Sequence, residues 1–231
     1  MRKYYILTIL LSISFLVQAQ FTVSYSLGYS NYDMSGMRKL LSTIQNTQPA
    51  VTIGAKIVDN FPVNNIFHSV DIGYKLNMHE FGLKGSGYNS TGGKLSIKDY
   101  SGEYSNKFII NGFRAGFFYK NYFYNFKSDK RTLFSFFGEV SPGLYFTEIK
   151  NNGFFIVQDK ELDSFNDIYK VNSFALLIQT GVIYYIAKNI SANVTVGYDF
   201  VSKAEVNDFT PIPASVNWSS VKFMAGLGFS F

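Results

Sequence analysis

Two histidines, His68 and His79, carry the side chains best suited to general-base work near neutral pH, and the chain has no cysteine. His79 is followed directly by Glu80 and, within the same stretch "HEFGLKGS", by Ser86. A base, an acid and a hydroxyl so placed are the ingredients of hydrolysis at the rim of a larger scaffold. A segment rich in Ser and Gly produces such neighbours by chance, so no catalytic role is expected of them. The two histidines stand eleven residues apart without a ligand cluster around them, so no metal site is expected. "GYNSTGGK" misplaces the glycines of a phosphate loop and runs on into Leu95, so no cofactor is expected either.

The other chemistry on offer is charge pairing. Lys56, Asp71, Lys75, Arg114, Glu139, Asp199 and Lys222 share one property: each falls on the small, polar side of a segment that alternates with period two. Phe21, Val23, Tyr25, Leu27 and Tyr29 alternate with Thr, Ser and Gly, and the pattern returns seven times. Its apolar positions are Val51 to Ile57, Val70 to Met78, Phe113 to Tyr119, Phe134 to Phe146, Phe174 to Tyr184, Ile190 to Phe200 and Val221 to Phe231. Asn111 on an apolar face predicts a bulge or a register break, and Pro142 an interruption. The links near 31–49, 80–106, 148–170 and 202–216 are long, and those near 58–65, 120–130 and 187–189 are short. Long and short links that alternate describe an up-and-down meander with its long loops at one end. On this reading His68 lies at the short-link end and His79 at the long-loop rim.

What the apolar faces meet is decided by the other face. A soluble sandwich turns its polar face to water and fills it with Lys, Glu and Thr. Here that face is dominated by Gly, Ser, Thr and Asn, and ten of the 19 glycines lie on it. Small residues belong in the narrow interior of an eight-stranded barrel, which leaves large apolar residues facing outward into lipid. A bilayer tolerates no unpaired strand edge, so the sheet must close. The expected fold is all-β, an eight-stranded antiparallel up-and-down transmembrane β-barrel. The composition fits: aromatic residues make up 18%, charged residues 16%, and the mean hydropathy is +0.04, too low for a helical membrane bundle.

The chain opens "MRKYYILTILLSISFLVQAQ", with basic Arg2 and Lys3, an apolar core and small residues at Val17 and Ala19. That is the pattern of a cleaved signal peptide over residues 1–19, which leaves 20–231 as the barrel domain. Cleavage takes away Arg2 and Lys3, and the net charge falls from +5 to +3. With so mild a bias and no basic block, no nucleic-acid partner is expected. The close, "VKFMAGLGFSF", alternates to its last residue, as a strand that pairs with the first would.

A signal peptide, an eight-stranded meander and a terminal aromatic residue together resemble the OmpA/OmpX-type outer-membrane barrels, and in flavour the PorT-like barrel domain of Bacteroidetes. The resemblance covers the mature chain and rests on pattern rather than on identities. It implies the outer membrane of a Gram-negative bacterium, surrounding lipid and lipopolysaccharide as partners, and a final strand whose Leu227, Phe229 and Phe231 resemble the signal read by the barrel-assembly machinery. It also implies, as an alternative, an accessory role in protein secretion; a narrow, porin-like solute channel lined by the inward charges is a further alternative. With no peptidoglycan-binding domain after Phe231, the two-domain OmpA role is not expected.

The seven inward charges are expected to pair across the lumen and plug it, with Glu139 beside Arg114 or Lys222. Function then falls to the long loops, which would carry a structural or interaction role through protein partners. Met37, Leu40, Leu41 and Ile44 are at helical spacing in the first loop, which predicts a short helix over the barrel mouth. The Gly/Ser-rich stretch 80–103 is expected to be a mobile loop whose Lys84, Lys94 and Lys98 reach lipopolysaccharide phosphates.

Overall fold

The computed structural model describes residues 19–62, 65–88, 91–128, 131–206 and 214–231. The predicted signal segment lies outside these residues apart from Ala19, with which the first strand begins. Twelve strands follow in chain order: β1 (Ala19–Ser30), β2 (Lys56–Asn60), β3 (Ile66–Leu76), β4 (His79–Tyr88), β5 (Thr91–Asp99), β6 (Gly102–Ser128), β7 (Arg131–Val157), β8 (Lys160–Tyr185), β9 (Ile190–Val201), β10 (Ala204–Val206), β11 (Ala214–Val216) and β12 (Ser220–Ser230). Two helices, α1 (Ser35–Gln45) and α2 (Ala50–Ile53), lie between β1 and β2.

Eight of the strands form the barrel. β1, β3, β4, β6, β7, β8, β9 and β12 pair antiparallel in that order, and β12 returns to β1 in a register running from Thr22 opposite Ser230 to Ser30 opposite Lys222. The last strand therefore closes the sheet, and no ring strand is left with a free edge within the barrel. β3 turns into β4 through Asn77 and Met78, with Asn77 at φ +54°, a conformation Asn accepts more readily than most residues. This turn, the pairing of Ser128 with Arg131 and residues 186–189 define a turn end of the barrel. The connections of β1 to β3, β4 to β6 and β9 to β12 gather at the opposite, loop end.

Period-two alternation sets the two faces of each ring strand. Phe21, Leu27, Ile72, Leu83, Phe117, Val194 and Phe223 are among the large apolar residues exposed on the outside. A closed sheet with a continuous apolar outer band is stable only in lipid, so the chain is a transmembrane β-barrel. Above Phe113 and Phe146 the outer surface becomes charged: Lys150 lies 3.2 Å and Lys170 3.9 Å from Glu148. Lys150 hydrogen-bonds the Glu148 carboxyl and holds it below the ordinary carboxylate range, with Lys170 adding to the effect. A depressed folded-state pKa gives stability that is present at neutral pH and lost as pH falls through that pKa. A carboxyl ¹³C titration of Glu148 is expected to show a midpoint below that of an unstructured Glu; an unshifted midpoint would mean the pair does not form in solution.

Beyond the band, β6, β7 and β8 continue as a projecting sheet, which β5 and β2 extend. At its far end β7 turns into β8 through Gln158 and Asp159, both at positive φ, as a type I′ hairpin requires. Under this sheet lies an apolar core. Met37, Leu40 and Leu41 of α1 are buried in it with Phe61, Leu95, Phe108, Ile149 and Trp218. The loop end is a packed cap, and the predicted helix over the mouth is part of it.

Two strand assignments differ from the sequence reading. Val51 and Ile53 lie in the single turn of α2, which Gly54 ends in the left-handed conformation at φ +72°. β2 starts only at Lys56 and pairs with β5, outside the ring. The eighth ring strand is instead β4, from the stretch expected to be a mobile loop. Its alternation is real, with Phe81 and Leu83 outward and Glu80, Lys84 and Ser86 buried, but three glycines obscure it. Gly82 serves close approach rather than flexibility: a Cβ there would lie 2.1 Å from the Ile72 carbonyl oxygen. With β4 in the ring the sense of β3 reverses, so His68 is near the loop end and His79 is at the turn end. Asn111 makes no bulge; it pairs in register with Glu148, where β6 has already left the apolar band.

Candidate functional site

The lumen gathers most of the buried charged side chains among the described residues. Its glycines make room for inward aromatic rings: a Cβ on Gly28 would meet Phe67 at 2.2 Å, and one on Gly181 would meet Phe137 at 2.9 Å. Large and small residues thus alternate inside the barrel, rather than small ones alone.

Six of the seven predicted lumen charges face inward. Lys56 does not; it belongs to β2, outside the ring, and is exposed. The error follows from extending one alternation across the helix and Gly54 into β2. Three further inward charges, Glu80, Lys84 and Lys120, were missed, the first two with strand β4. The signal for Lys120 was present, since it continues the alternation past Tyr119.

These charges form two groups. Towards the loop end, Asp199 accepts from Lys222 and lies 3.3 Å from Arg114 Nε, and Tyr145 donates to the same carboxylate at 3.1 Å. Arg114, Asp199 and Lys222 are all within 1% of complete burial. Arg114 also donates to the Ser141 carbonyl at 2.5 Å and to Ser141 Oγ at 3.1 Å. Pro142 shapes this contact. It has no N–H to offer β6, and Ser141 Oγ donates to the Phe117 carbonyl at 2.6 Å in place of a ladder bond. β7 runs through Pro142 without a shift of register against β8.

Towards the turn end, Lys84 lies 2.7 Å from Asp71 and 3.0 Å from Glu139. Lys120 lies 3.7 Å from Glu139 and 3.9 Å from Glu80. Glu80 accepts from Thr22 at 2.6 Å and from the Tyr122 hydroxyl. Glu139 is therefore held by Lys84 and Lys120, while Arg114 and Lys222 share Asp199. Aromatic rings support the cations: Lys120 is 5.0 Å from both the Phe118 and Phe137 centroids, and Lys222 is 5.3 Å from Phe67.

The cap seals the loop end. Trp218 is buried, donates to Thr147 Oγ1 at 2.9 Å and stacks on Tyr145 with centroids 6.0 Å apart and planes inclined by 6°. Tyr145 in turn accepts from Lys222 at 2.8 Å, which joins the apolar cap to the charged lumen.

The histidine group considered for hydrolysis is not brought together. His79 points outward at the turn end, 2.8 Å from the Tyr119 hydroxyl. Glu80 and Ser86 point inward, and Ser86 Oγ lies 3.2 Å from Ser69 Oγ. His68 pairs with the Tyr25 hydroxyl at 2.6 Å on the outer face. Lys84, expected to touch lipopolysaccharide, is buried in the lumen, and Lys98 lies in the cap against Glu103 at 2.8 Å. Lys94 is in β5, opposite Lys107. Leu227, Phe229 and Phe231 all face outward.

Ring, lipid band, charged lumen and cap define a transmembrane eight-stranded β-barrel with a folded loop end. Solved structures of similar architecture are Neisserial surface protein A (13% identity, 91% of this chain and 97% of that one, TM-score 0.38), the attachment invasion locus protein Ail of Yersinia pestis (12%, 92% and 97%, 0.38) and the N-terminal β-barrel domain of Pseudomonas aeruginosa OprF (13%, 93% and 100%, 0.34). No family model matches the sequence, and no curated protein matches it.

Proposed function

We propose that the chain is an integral outer-membrane protein of a Gram-negative cell, exported by its first 19 residues, whose lumen does not conduct and whose cap is its working surface. The observation that carries the reading is the lumen itself: four carboxylates and four cations are bonded across it, beneath Trp218 stacked on Tyr145. Ions crossing such a lumen would have to break buried pairs, which is costly in a low-dielectric setting. Leu227 and Phe229 on the closing strand, with Phe231 directly after it, supply the assembly signal, and lipid and lipopolysaccharide surround the barrel.

The test is conductance of refolded 20–231 in a planar bilayer. A silent membrane is expected; stable unitary steps would make the lumen a path and overturn the reading. If deleting the gene stopped export of a secreted cargo, the accessory role implied by the PorT-like resemblance would replace a general interaction role.

A further inference from the structure

The turn end of the lumen is unlike the loop end. It opens as a vestibule of about 500 Å³ with Lys75, Lys127 and Lys188 in its wall, and no carboxylate lines it among the described residues. Lys75, Tyr122 and Tyr185 also line the inner chamber that holds Lys84 and Glu139, so they form the neck between the two spaces.

Lys75 stands apart from the other inward cations. Lys84, Arg114, Lys120 and Lys222 each have a carboxylate partner. Lys75 has none among the described residues. Its ammonium lies 3.8 Å from the Tyr122 ring centroid and donates to the Tyr185 hydroxyl at 3.0 Å. Glu80, opposite Lys75 in register, is engaged by Thr22, Tyr122 and Lys120, so Lys75 makes no ion pair of its own at the neck. The partners are themselves fixed: Tyr122 donates to Glu80, and Ser135 Oγ lies 3.3 Å from the Tyr185 hydroxyl and 2.5 Å from Asn125 Oδ1. Lys127 and Lys188 are exposed at the outer rim.

We propose that this vestibule binds a phosphate group entering from the turn end, with Lys75 as the inner contact and Lys127 and Lys188 at the rim. Three ammonium groups with no acid among the described lining residues match an anion of nearly two charges, and lysine meets phosphate as a point charge. The amide of Asn125, whose oxygen Ser135 holds, and the hydroxyl of Thr132 supply donors for the remaining oxygens. A monocarboxylate would leave most of the charge unanswered. The phosphate belongs either to a free solute or to a phospholipid headgroup at the barrel's edge.

The test is calorimetric titration of refolded 20–231 in nonionic, phosphate-free micelles with inorganic phosphate, against chloride at matched ionic strength. Saturable binding specific to phosphate is expected. It should weaken roughly tenfold or more in Lys75→Met, the loss of one charge-assisted contact, and persist in Lys75→Arg. A phosphate response no different from chloride, or equal affinity in Lys75→Met, would overturn the proposal. Should Lys75→Met not fold, the rim variant Lys127→Gln/Lys188→Gln decides: weaker binding supports the site, and an unchanged affinity overturns it. Repeating the titration in phosphatidylglycerol vesicles separates the two sources. Competition assigns the site to a headgroup, and undiminished affinity assigns it to free phosphate.

Discussion

Asp199→Ala is expected to lower the unfolding free energy by about 3–5 kcal/mol, the usual cost of removing one partner from a buried ion pair. Asp199 is the carboxylate that Arg114 and Lys222 share, and all three are sealed from solvent. Its loss takes this shared acid from two buried cations at once. Asp199→Ala/Lys222→Met removes one stranded charge and leaves Arg114 its bonds to Ser141, so part of the loss should return. Urea titration in micelles, followed by fluorescence, measures both. Trp218 is the sole tryptophan and stacks on Tyr145, which bonds Asp199 and Lys222, so the signal reports on this cluster. A loss below about 1 kcal/mol, in the range of an exposed pair, would mean that water reaches the upper lumen.

Gly116→Val is expected to block assembly of the barrel. A Cβ at Gly116 would lie 2.3 Å from the Pro142 carbonyl oxygen and 2.7 Å from the Gly143 Cα, and both are backbone atoms that no rotamer change can move. Overpacking of a flexible core costs about 1–3 kcal/mol, and a clash with backbone exceeds that range. Gly138→Ala is the control: a Cβ there meets nothing within 4 Å, so its effect should stay within about 0.5 kcal/mol. The yield of heat-modifiable, folded barrel on a gel tells the two apart. Normal folding of Gly116→Val would show that β6 and β7 are further apart at this level than described above.

The architecture was legible because lipid outside and a narrow lumen inside impose opposite demands on successive residues. Val194, Val196 and Tyr198 against Asn193, Thr195 and Gly197 cannot be read another way. Where the reading failed, a local device imitated or concealed that alternation. Val51 and Ile53 sit two apart in α2 as they would in a strand, and only the helix-terminating role of Gly54 distinguishes the cases. In β4 the reverse happened: Gly82, Gly85 and Gly87 resemble a flexible loop, although Gly82 is required by a neighbouring carbonyl. That one missed strand concealed Glu80 and Lys84, and with them the partners of Glu139 and Lys120. Inward-facing charge can be read from parity; who pairs with whom depends on strand stagger, which no single strand's sequence contains.

The seam between β1 and β12 governs how the protein reaches the membrane. Thr22 and Ser230 are neighbours across it, so the pairing that completes the ring joins nearly opposite ends of the chain. Contacts of such sequence separation form late, because the entropy of closing so long a loop comes before any reward. Until then Arg114, Lys120 and Lys222 would face an open concave sheet. In hydrocarbon each Arg or Lys would cost about 2–4 kcal/mol near the midplane. A half-built sheet is thereby disfavoured in the bilayer, and insertion is expected to go together with ring closure. On this reasoning the polar lumen bears on assembly as well as on the finished barrel.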